Sequence, residues 1–340
     1  MQVTVIGHRE VVELLPMADC VEVMAGMFQT LGRGEAIQPL RQVVRQPDRR
    51  GALGLMPSYL GAPPALGAKV VSVFPGNAAT CYESHQGAVL LFETGNGRLL
   101  AIIDAGAITS IRTAAVSALA TRLLAREEGG DLAILGAGTQ ANMHLAAMQT
   151  ARQIKSVRVW SRDADHARRF AETTSARYGL SVTPTANARD AVTGADIICT
   201  VTGAKAPILQ GEWIVPGTHI NAVGASVPPF RELDTDAVVR SRVFVDRKES
   251  ALAEADDLRI PLQEKAIAED HIRGELADLA LERVIGRTGA DDITLFKSVG
   301  LAVEDLAAAQ HVYERAVATG AGTQLDFSAE RNDGQRKPEP

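Results

Sequence analysis

The chain has 340 residues, of which 46% are hydrophobic and 22% are charged, with a net charge of −6. This balance supports a buried core in about two domains and argues against a basic nucleic-acid-binding surface. No apolar run reaches the roughly 18 residues of a membrane helix, and no signal-peptide pattern is found. Three widely spaced cysteines favour reduced thiols in a cytoplasmic protein.

The first third of the chain predicts a mixed α+β unit. Residues 2–6 alternate like a strand, and residues 17–31 carry apolar side chains at helical spacing, which predicts a helix with one face in the core. Residues 110–125 predict a further helix, capped by Thr109 or Ser110. Between these two helices we expect short strands at 53–56, 68–74, 88–93 and 99–103. Gly95-Asn96-Gly97 is expected as a hairpin turn between the last two strands.

From residue 131 onwards the pattern alternates between strand and helix. This alternation predicts an α/β fold with a doubly wound parallel sheet of the Rossmann type. A late strand at 293–298 precedes a helix from 301 to about 318, which we expect to return to the first unit. The other predicted strands are 131–135, 156–160, 181–184, 196–201, 218–223 and 243–246.

The stretch from Gly136 to Ala141, GAGTQA, fits the dinucleotide fingerprint G-x-G-x-x-G/A. Gly136 permits the turn, Gly138 lets a pyrophosphate approach the backbone, and the small Ala141 lets helix and strand pack closely. The helix N-terminus adds free amides and a positive dipole end. Because the motif follows one predicted strand and leads through a helix to a second, we predict a dinucleotide site there and not an ordinary turn.

The end of that second strand carries Ser161 and Arg162 where an acid would bind a ribose 2′-hydroxyl and indicate NAD. A hydroxyl and a guanidinium suit a 2′-phosphate instead, which predicts NADPH as the cofactor, with NADH as the second choice. The alternative is that Arg162 is a solvated loop residue and that Asp163 serves as the acid.

Three cations lie in unusual settings. Arg112 is expected in the first turn of its helix, where a cation opposes the helix dipole unless an anion also sits there. Lys69 lies in an apolar strand, so it is either at an edge or held for function, and Arg41 follows a proline-marked loop. Each alone is typical of a surface charge, but beside a nicotinamide site they predict a carboxylate-binding pocket.

Other catalytic patterns are weak. The histidines show no HxxH or HExxH spacing, so no metal site is predicted, and no GxSxG elbow supports serine hydrolysis. His85 could help to protonate a substrate but is more typical of a satisfied strand histidine. The acidic run at 254–257 is typical of a solvated helix face.

A series of motifs, in order from about residue 15 to 310, resembles the ornithine cyclodeaminase/mu-crystallin family: QPLRQVV, LGLMPSY, GAKVVSVFPGN, SHQGAVLLFE, ITSIRTAAVSALAT, AILGAGTQA, HINAVGAS, REL and TLFKSVGLAVED. The resemblance implies a homodimer with a Rossmann domain for the cofactor and an α+β domain for substrate binding and dimerisation. On this chain the substrate domain is expected at 1–118 with 308–330, the Rossmann domain at 119–307, and a disordered tail at 331–340.

The resemblance also implies residue roles. Arg41, Lys69 and Arg112 would bind the substrate carboxylate, with Arg112 also near the cofactor phosphates. The family pattern places a further set of residues along the cofactor cleft: Gln86, Thr113, Gly138, Thr139, Gln140, Arg162, Thr202, Asn221, Val223 and Val299.

Two departures from the family pattern bear on the reaction. Cyclodeaminases carry an acid after the NAVGG-type stretch and a glutamate two residues before the MP pair, whereas this chain has Ser226 and Gly54. Neither can act as a carboxylate base at neutral pH. The chain is in this respect similar to the mu-crystallin branch, which implies NADPH-dependent ketimine reduction.

The expected reaction is reduction of a 2-imino acid, such as Δ1-pyrroline-2-carboxylate or Δ1-piperideine-2-carboxylate, to an L-amino acid. Lys69 or a bound water would donate the proton, and Ser226 would hydrogen-bond the substrate nitrogen or that water. The alternatives are reductive amination of a 2-oxo acid, ornithine cyclodeamination and non-catalytic NADPH binding. We expect a small-molecule substrate and no nucleic-acid or membrane partner.

Overall fold

The computed structural model describes residues 2–48 and 50–327, so the predicted disordered tail at 331–340 lies outside the described residues. The first part of the chain forms mostly antiparallel strands and three helices. The strands are β1 (Gln2–Ile6), β2 (Ala36–Ile37), β3 (Gln42–Arg45), β4 (Ala52–Gly61), β5 (Pro64–Val73), β6 (His85–Phe92) and β7 (Leu99–Asp104). The helices are α1 (His8–Leu14), α2 (Met17–Gly32) and α3 (Ala105–Leu124).

The second part alternates strands and helices as predicted. The strands are β8 (Asp131–Leu135), β9 (Ser156–Trp160), β10 (Val182–Pro184), β11 (Ile197–Thr200), β12 (His219–Ala222), β13 (Arg242–Val245), β14 (Ile272–Glu275) and β15 (Thr294–Lys297). The helices are α4 (Thr139–Ala151), α5 (Ala164–Tyr178), α6 (Ala188–Val192), α7 (Thr235–Val239), α8 (Lys248–Glu254), α9 (Asp256–Gln263) and α10 (Leu276–Ala280). They are followed by α11 (Ala302–Thr319) and β16 (Thr323–Asp326).

The first sheet has the strand order β16-β1-β7-β6-β5-β4-β2, and β3 also pairs with β4. Only the β1–β7 pair is parallel among its described pairings. The C-terminal strand β16 runs antiparallel to β1, with Leu325 opposite Val3, so the two ends of the described chain meet in this sheet.

The second sheet is parallel throughout its described pairings, in the order β10-β9-β8-β11-β12-β15-β13-β14. Its central strands read as apolar runs because both faces are covered by helices. The predicted Rossmann-type sheet is therefore confirmed. The strand order reverses between β8 and β11, and open α/β sheets bind ligands at this switch point.

Helix α3 joins the two sheets and is buried on nearly every side. It begins earlier than predicted, because the Asp104 side chain accepts the Ala107 N–H at 2.7 Å and caps the helix. The expectation that Arg112 lies in the first turn is therefore wrong. Helix α11 packs on β4, β5, β6 and α3, as expected for its return to the first unit. The expected domain bounds at 118/119 and 307/308 fall inside α3 and α11.

None of the described helices combines the length and hydropathy needed to cross a bilayer.

Candidate active site

The glycine loop forms an open cradle at the start of α4. Gly136 has φ +127°, and a side chain there would lie 2.8 Å from the Val201 carbonyl oxygen, so only glycine suits the turn. Gly138 is the N-cap of α4 and has no atom within 4 Å of the position of a Cβ. This free space at a helix N-terminus, in the crevice between β8 and β11, fits the pyrophosphate of a dinucleotide.

The helix that follows the loop supports the same fit. Thr139 opens α4, and Ala141 is fully buried where the helix packs on the sheet. The Gln140 side-chain oxygen, next to the glycine loop, is buried without a hydrogen-bond partner among the described residues.

Beyond β9 the side chains of residues 161–163 differ in their contacts and exposure. Asp163 caps α5, since one of its carboxylate oxygens accepts the N–H groups of Asp165 at 2.9 Å and His166 at 3.3 Å. Arg162 is exposed and makes no ion pair within residues 2–48 and 50–327, and Ser161 is half-buried. Asp163 is thus engaged by its own helix, while Ser161 and Arg162 are accessible.

A buried carboxylate that the sequence analysis missed fastens two loops of the cofactor crevice together. Glu232 is fully buried and accepts hydrogen bonds from the N–H and hydroxyl of Thr202, the hydroxyl of Thr200 and the N–H of Gly224. These hydrogen bonds hold Thr202 at the end of β11, and they hold Gly224 and the buried Val223 before it at the end of β12.

The remaining predicted cofactor residues are dispersed. Asn221 is fully buried, and its amide donates to the Thr121 hydroxyl at 2.9 Å, so its side chain belongs to the α3 interface. Gln86 is exposed on β6 and donates to the Glu83 carbonyl oxygen. Thr113 is buried on α3 beside Arg112.

The cations Lys69 and Arg112 meet at one buried carboxylate, Asp305 of α11. The Lys69 Nζ lies 2.5 Å from Asp305 Oδ2, and Arg112 Nε donates to Asp305 Oδ1 at 2.8 Å. Arg112 also pairs with Glu304, the neighbour of Asp305. Lys69 is 5% exposed and Arg112 4% exposed, while both acids are fully buried. These cations are interior groups and not surface charges.

The third cation, Arg41, contacts the 299–300 turn, which also lies beside Arg112. Its Nη2 donates to the carbonyl oxygens of Val299 at 2.7 Å and Gly300 at 2.9 Å, and its Nε pairs with Glu254 Oε1 at 2.9 Å. The buried Asp246 carboxylate holds this turn, since Oδ2 accepts the N–H groups of Val299 and Gly300 at 2.6 and 2.8 Å.

Gly300 connects Arg41 to Arg112. It has φ +80°, and a Cβ at this position would lie only 2.9 Å from Arg112 Nη1. The 299–300 turn leaves the carboxyl end of β15, on the same edge of the parallel sheet as the glycine loop after β8. The cation cluster and the dinucleotide crevice therefore share one edge, where ligands of such sheets bind.

Burial changes the protonation of the cluster. Loss of solvation lowers the pKa of Lys69 to about 8, although Asp305 opposes the change. Burial likewise raises the pKa of Glu304 to about 7, against the opposing effect of Arg112. Burial disfavours the charge on Arg112, but Asp305 and Glu304 outweigh it and raise its pKa. Lys69 can consequently exchange a proton near neutral pH.

The acids of this cluster escaped the sequence analysis. Glu304 and Asp305 occupy the first turn of a helix, where acids are usually solvated and favoured by the dipole. The interpretation of residues 254–257 as a solvated face is wrong, because Glu254 pairs with Arg41 and Asp257 is buried against Lys297 at 2.9 Å. The available signal was the pair of acids in the otherwise apolar first half of α11.

Two positions depart from the cyclodeaminase pattern: Gly54 lies on β4 of the first sheet, and Ser226 lies at the carboxyl edge of the parallel sheet. Gly54 alternates with Met56, the cross-strand partner of Lys69, on the inner face of the first sheet. A side chain at Gly54 would meet only Val71, at 3.5 Å, so space is available there. Ser226 follows β12 and is half-buried. His85 is exposed, and its Nδ1 lies 2.9 Å from the Ser84 hydroxyl.

The fold and the loop together define a dinucleotide-binding protein of the Rossmann class, with a buried cationic site at the carboxyl edge of its parallel sheet. The chain belongs to the ornithine cyclodeaminase/mu-crystallin family, whose model matches residues 2–320.

Known proteins similar to the chain cover most of its length. It is 44% identical to the ketimine reductase mu-crystallin of Mus musculus over 283 residues, which are 83% of this chain and 86% of that protein. The structure of Thermococcus litoralis Δ1-pyrroline-2-carboxylate reductase in complex with NADH and L-proline matches with a TM-score of 0.92 and 37% identity, covering 94% of this chain and 99% of that one. An archaeal alanine dehydrogenase dimer with bound NAD matches with a TM-score of 0.91 and 28% identity, covering 96% and 100%.

Proposed function

We propose that this protein reduces the C=N bond of a 2-imino acid to give an L-amino acid, with NADPH as the cofactor. It is an NAD(P)H-dependent oxidoreductase acting on CH–NH/C=N bonds. The observation that carries the proposal is the buried Lys69–Asp305–Arg112 cluster beside Arg41, on the same sheet edge as the glycine loop. The names of the similar ketimine and pyrroline-2-carboxylate reductases agree with it.

In this proposal the chain's own groups bind and orient the substrate and supply the proton. When bound, the nicotinamide cofactor supplies the hydride. Arg41, Lys69 and Arg112 attract and position the substrate carboxylate, which fixes the imine carbon in place for reduction. The imine nitrogen must gain a proton, and Lys69, whose pKa is lowered to about 8, donates it from Nζ. Ser226 hydrogen-bonds the nitrogen or an intervening water.

The preference for NADPH is supported by the 161–163 segment. Asp163 is committed to capping α5, whereas Arg162 is exposed and Ser161 lies directly before it. A guanidinium and a hydroxyl would bind a 2′-phosphate through charge-assisted hydrogen bonds. NADH is the second choice.

We propose cyclic ketimines, Δ1-pyrroline-2-carboxylate and Δ1-piperideine-2-carboxylate, as the first substrates, and open-chain imines from a 2-oxo acid and an amine as the second. Ornithine cyclodeamination is disfavoured because Gly54 and Ser226 lack the carboxylates that such chemistry needs. Tight NADPH binding without turnover would instead support a binding protein.

We also propose a homodimer formed through the outer face of the first sheet. Exposed apolar side chains cover that face of β3, β4 and β5. Because a patch of this kind is unusual on a monomer, it indicates an interface. Val44 is 70% exposed, Leu53 47%, Leu55 38% and Leu66 38%. The substrate domain, 1–118 with 308–330, would thus carry the dimer contact, and residues 119–307 the cofactor. Location in the cytoplasm stays a prediction, and the three cysteines are free thiols.

The test is oxidation of NADPH, followed by nicotinamide absorbance, with each cyclic ketimine and with pyruvate plus ammonia or methylamine, repeated with NADH. We expect turnover of a cyclic ketimine with NADPH preferred. Turnover only with a 2-oxo acid and an amine would make the protein an amino-acid dehydrogenase. Absence of turnover with every substrate would contradict the proposed reaction.

A further inference from the structure

The number of charges in the cation cluster does not favour an anionic substrate. The described groups that meet there include three cations and four carboxylates: Lys69, Arg112 and Arg41 with Asp305, Glu304, Glu254 and Asp246. With all of them ionised the cluster is negative, and a further buried carboxylate would be strongly disfavoured. Anion binding is therefore expected to require a proton on one of these acids.

Glu304 is the acid that can accept this proton with least disruption. It is fully buried, Oε2 faces Arg112, and Oε1 has no hydrogen-bond partner among the described residues. Arg112 is shared with Asp305, so Glu304 receives only part of one guanidinium. A proton on Oε1 would break no existing hydrogen bond.

The other acids are less suited. Asp305 contacts two cations, Lys69 and Arg112, which hold its pKa below the ordinary value despite burial. Asp246 accepts three backbone N–H groups on its two oxygens, so protonation would displace one of them. Glu254 also has a free oxygen, but its partner Arg41 pairs with no other described acid, and its side chain is 13% exposed.

We propose that Glu304 takes up one proton from solvent when the substrate carboxylate binds, and so acts as a positioning residue that keeps Arg112 available to the substrate. The step is Glu304 carboxylate plus H⁺ giving the neutral carboxylic acid, with no other bond changed. This inference rests on the proposed function, because it takes the substrate to be a carboxylate anion.

The charged and titratable groups facing Glu304 agree with this assignment. They are Arg112 from α3, Cys20 from α2, Asp246 from the end of β13 and Asp305 on its own helix. Two of these are further acids, and Cys20 is neutral because burial raises the pKa of its thiol. Since burial raises the pKa of Glu304 to about 7, affinity for the anion should fall about tenfold per pH unit above that value, the slope for one linked proton.

The experiment is calorimetric titration of the NADPH-loaded protein with pyrrole-2-carboxylate, a planar ring acid whose nitrogen does not titrate near neutral pH. Titrations in buffers of different ionisation enthalpy give the number of protons taken up. At pH 7 Lys69, with a pKa of about 8, is already mostly protonated. The variants are Glu304→Gln, which mimics the neutral acid, and Asp196→Asn as the matched control, because Asp196 pairs with Arg126 outside the cluster.

At pH 7 we expect uptake of about half a proton by the wild type and by Asp196→Asn, because Glu304 with a pKa of about 7 is half protonated before binding. Glu304→Gln should bind without uptake at this pH. Its affinity should stay level up to the pKa of Lys69, about 8, whereas the affinity of the wild type falls from about pH 7. Binding by the wild type without uptake, or uptake that persists in Glu304→Gln, would overturn the inference but leave the proposed function intact. Failure of the wild type to bind the ring acid would contradict both. Should Glu304→Gln not fold, a new carboxylic-acid carbonyl band in the infrared difference spectrum of the wild type on binding is expected, and its absence would overturn the inference.

Discussion

Replacement of Asp305 by asparagine removes the one charge that Lys69 and Arg112 share. The carboxylate lies 2.5 Å from Lys69 Nζ and 2.8 Å from Arg112 Nε, and both cations are buried. Breaking such a buried pair costs about 3–5 kcal/mol of stability. An opposite charge at this range shifts a pKa by about 1–3 units, so the pKa of Lys69, about 8 in the wild type, should fall by that amount.

The sign of the pH effect follows from the role proposed for Lys69. Its protonated form donates, so kcat falls as the pH rises through the pKa of Lys69, and in Asp305→Asn this fall should begin at a lower pH. The assay is NADPH oxidation with Δ1-piperideine-2-carboxylate at several pH values. The ratio of variant to wild-type kcat removes the titration of the imine itself, which is common to both.

Asp196→Asn is the matched control, because Asp196 pairs with Arg126 at 2.6 Å at the opposite edge of the parallel sheet. It should lose some stability, seen as a lower Tm, with an unchanged kcat profile. If Asp305→Asn lost stability but kept the wild-type pH profile, the group that titrates in kcat would not be Lys69. The role of Lys69 as the proton donor would then be refuted.

Three further changes test other parts of the site. Arg162→Ala should weaken NADPH binding by about 1.5–3 kcal/mol, the usual contribution of a hydrogen bond to a charged group, and leave NADH binding nearly unaffected. An equal rise in KM for the two cofactors would contradict the assignment of Arg162 to the 2′-phosphate. Gly300→Ala adds a Cβ 2.9 Å from Arg112 Nη1 at φ +80°, so it should destabilise the fold by about 1–2 kcal/mol and raise the substrate KM more than the NADPH KM, whereas an unchanged substrate KM would show that Arg112 is not a ligand. Leu53→Asp places a charge on the exposed sheet face and should halve the mass measured by sedimentation, and a dimer that persists would place the interface elsewhere.

The sequence predicted seven of the eight strands of the parallel sheet, because these strands are largely apolar and bounded by turn residues, and this information is local. It missed β14, whose residues IRGE contain one large apolar side chain, Ile272. It misplaced the start of α3, since Thr109 and Ser110 resemble caps while Asp104, at the end of a strand, performs that role. The identity of the capping residue depends on which backbone N–H groups the preceding turn brings within reach.

The candidate site was predictable only in part. Gly136 and Gly138 carry their function in the local pattern of turn and helix, but the partners of Lys69 lie far along the chain. Asp305 meets Lys69 and Arg112 only because α11 returns to the first sheet and α3 crosses beside it. No periodicity in α11 distinguishes an acid that faces solvent from one that faces two buried cations.

The place of α11 and β16 in the sequence has a consequence for folding. The parallel sheet, from β8 to β15, is a continuous stretch of chain and can fold while synthesis continues. The first sheet needs β16 beside β1, and Lys69 and Arg112 have Asp305 as a partner only after α11 has emerged. Until then two cations would be buried without their counter-charges, at a cost of several kcal/mol each. We therefore expect the first sheet to close last, so that a chain interrupted before α11 is left open to proteolysis.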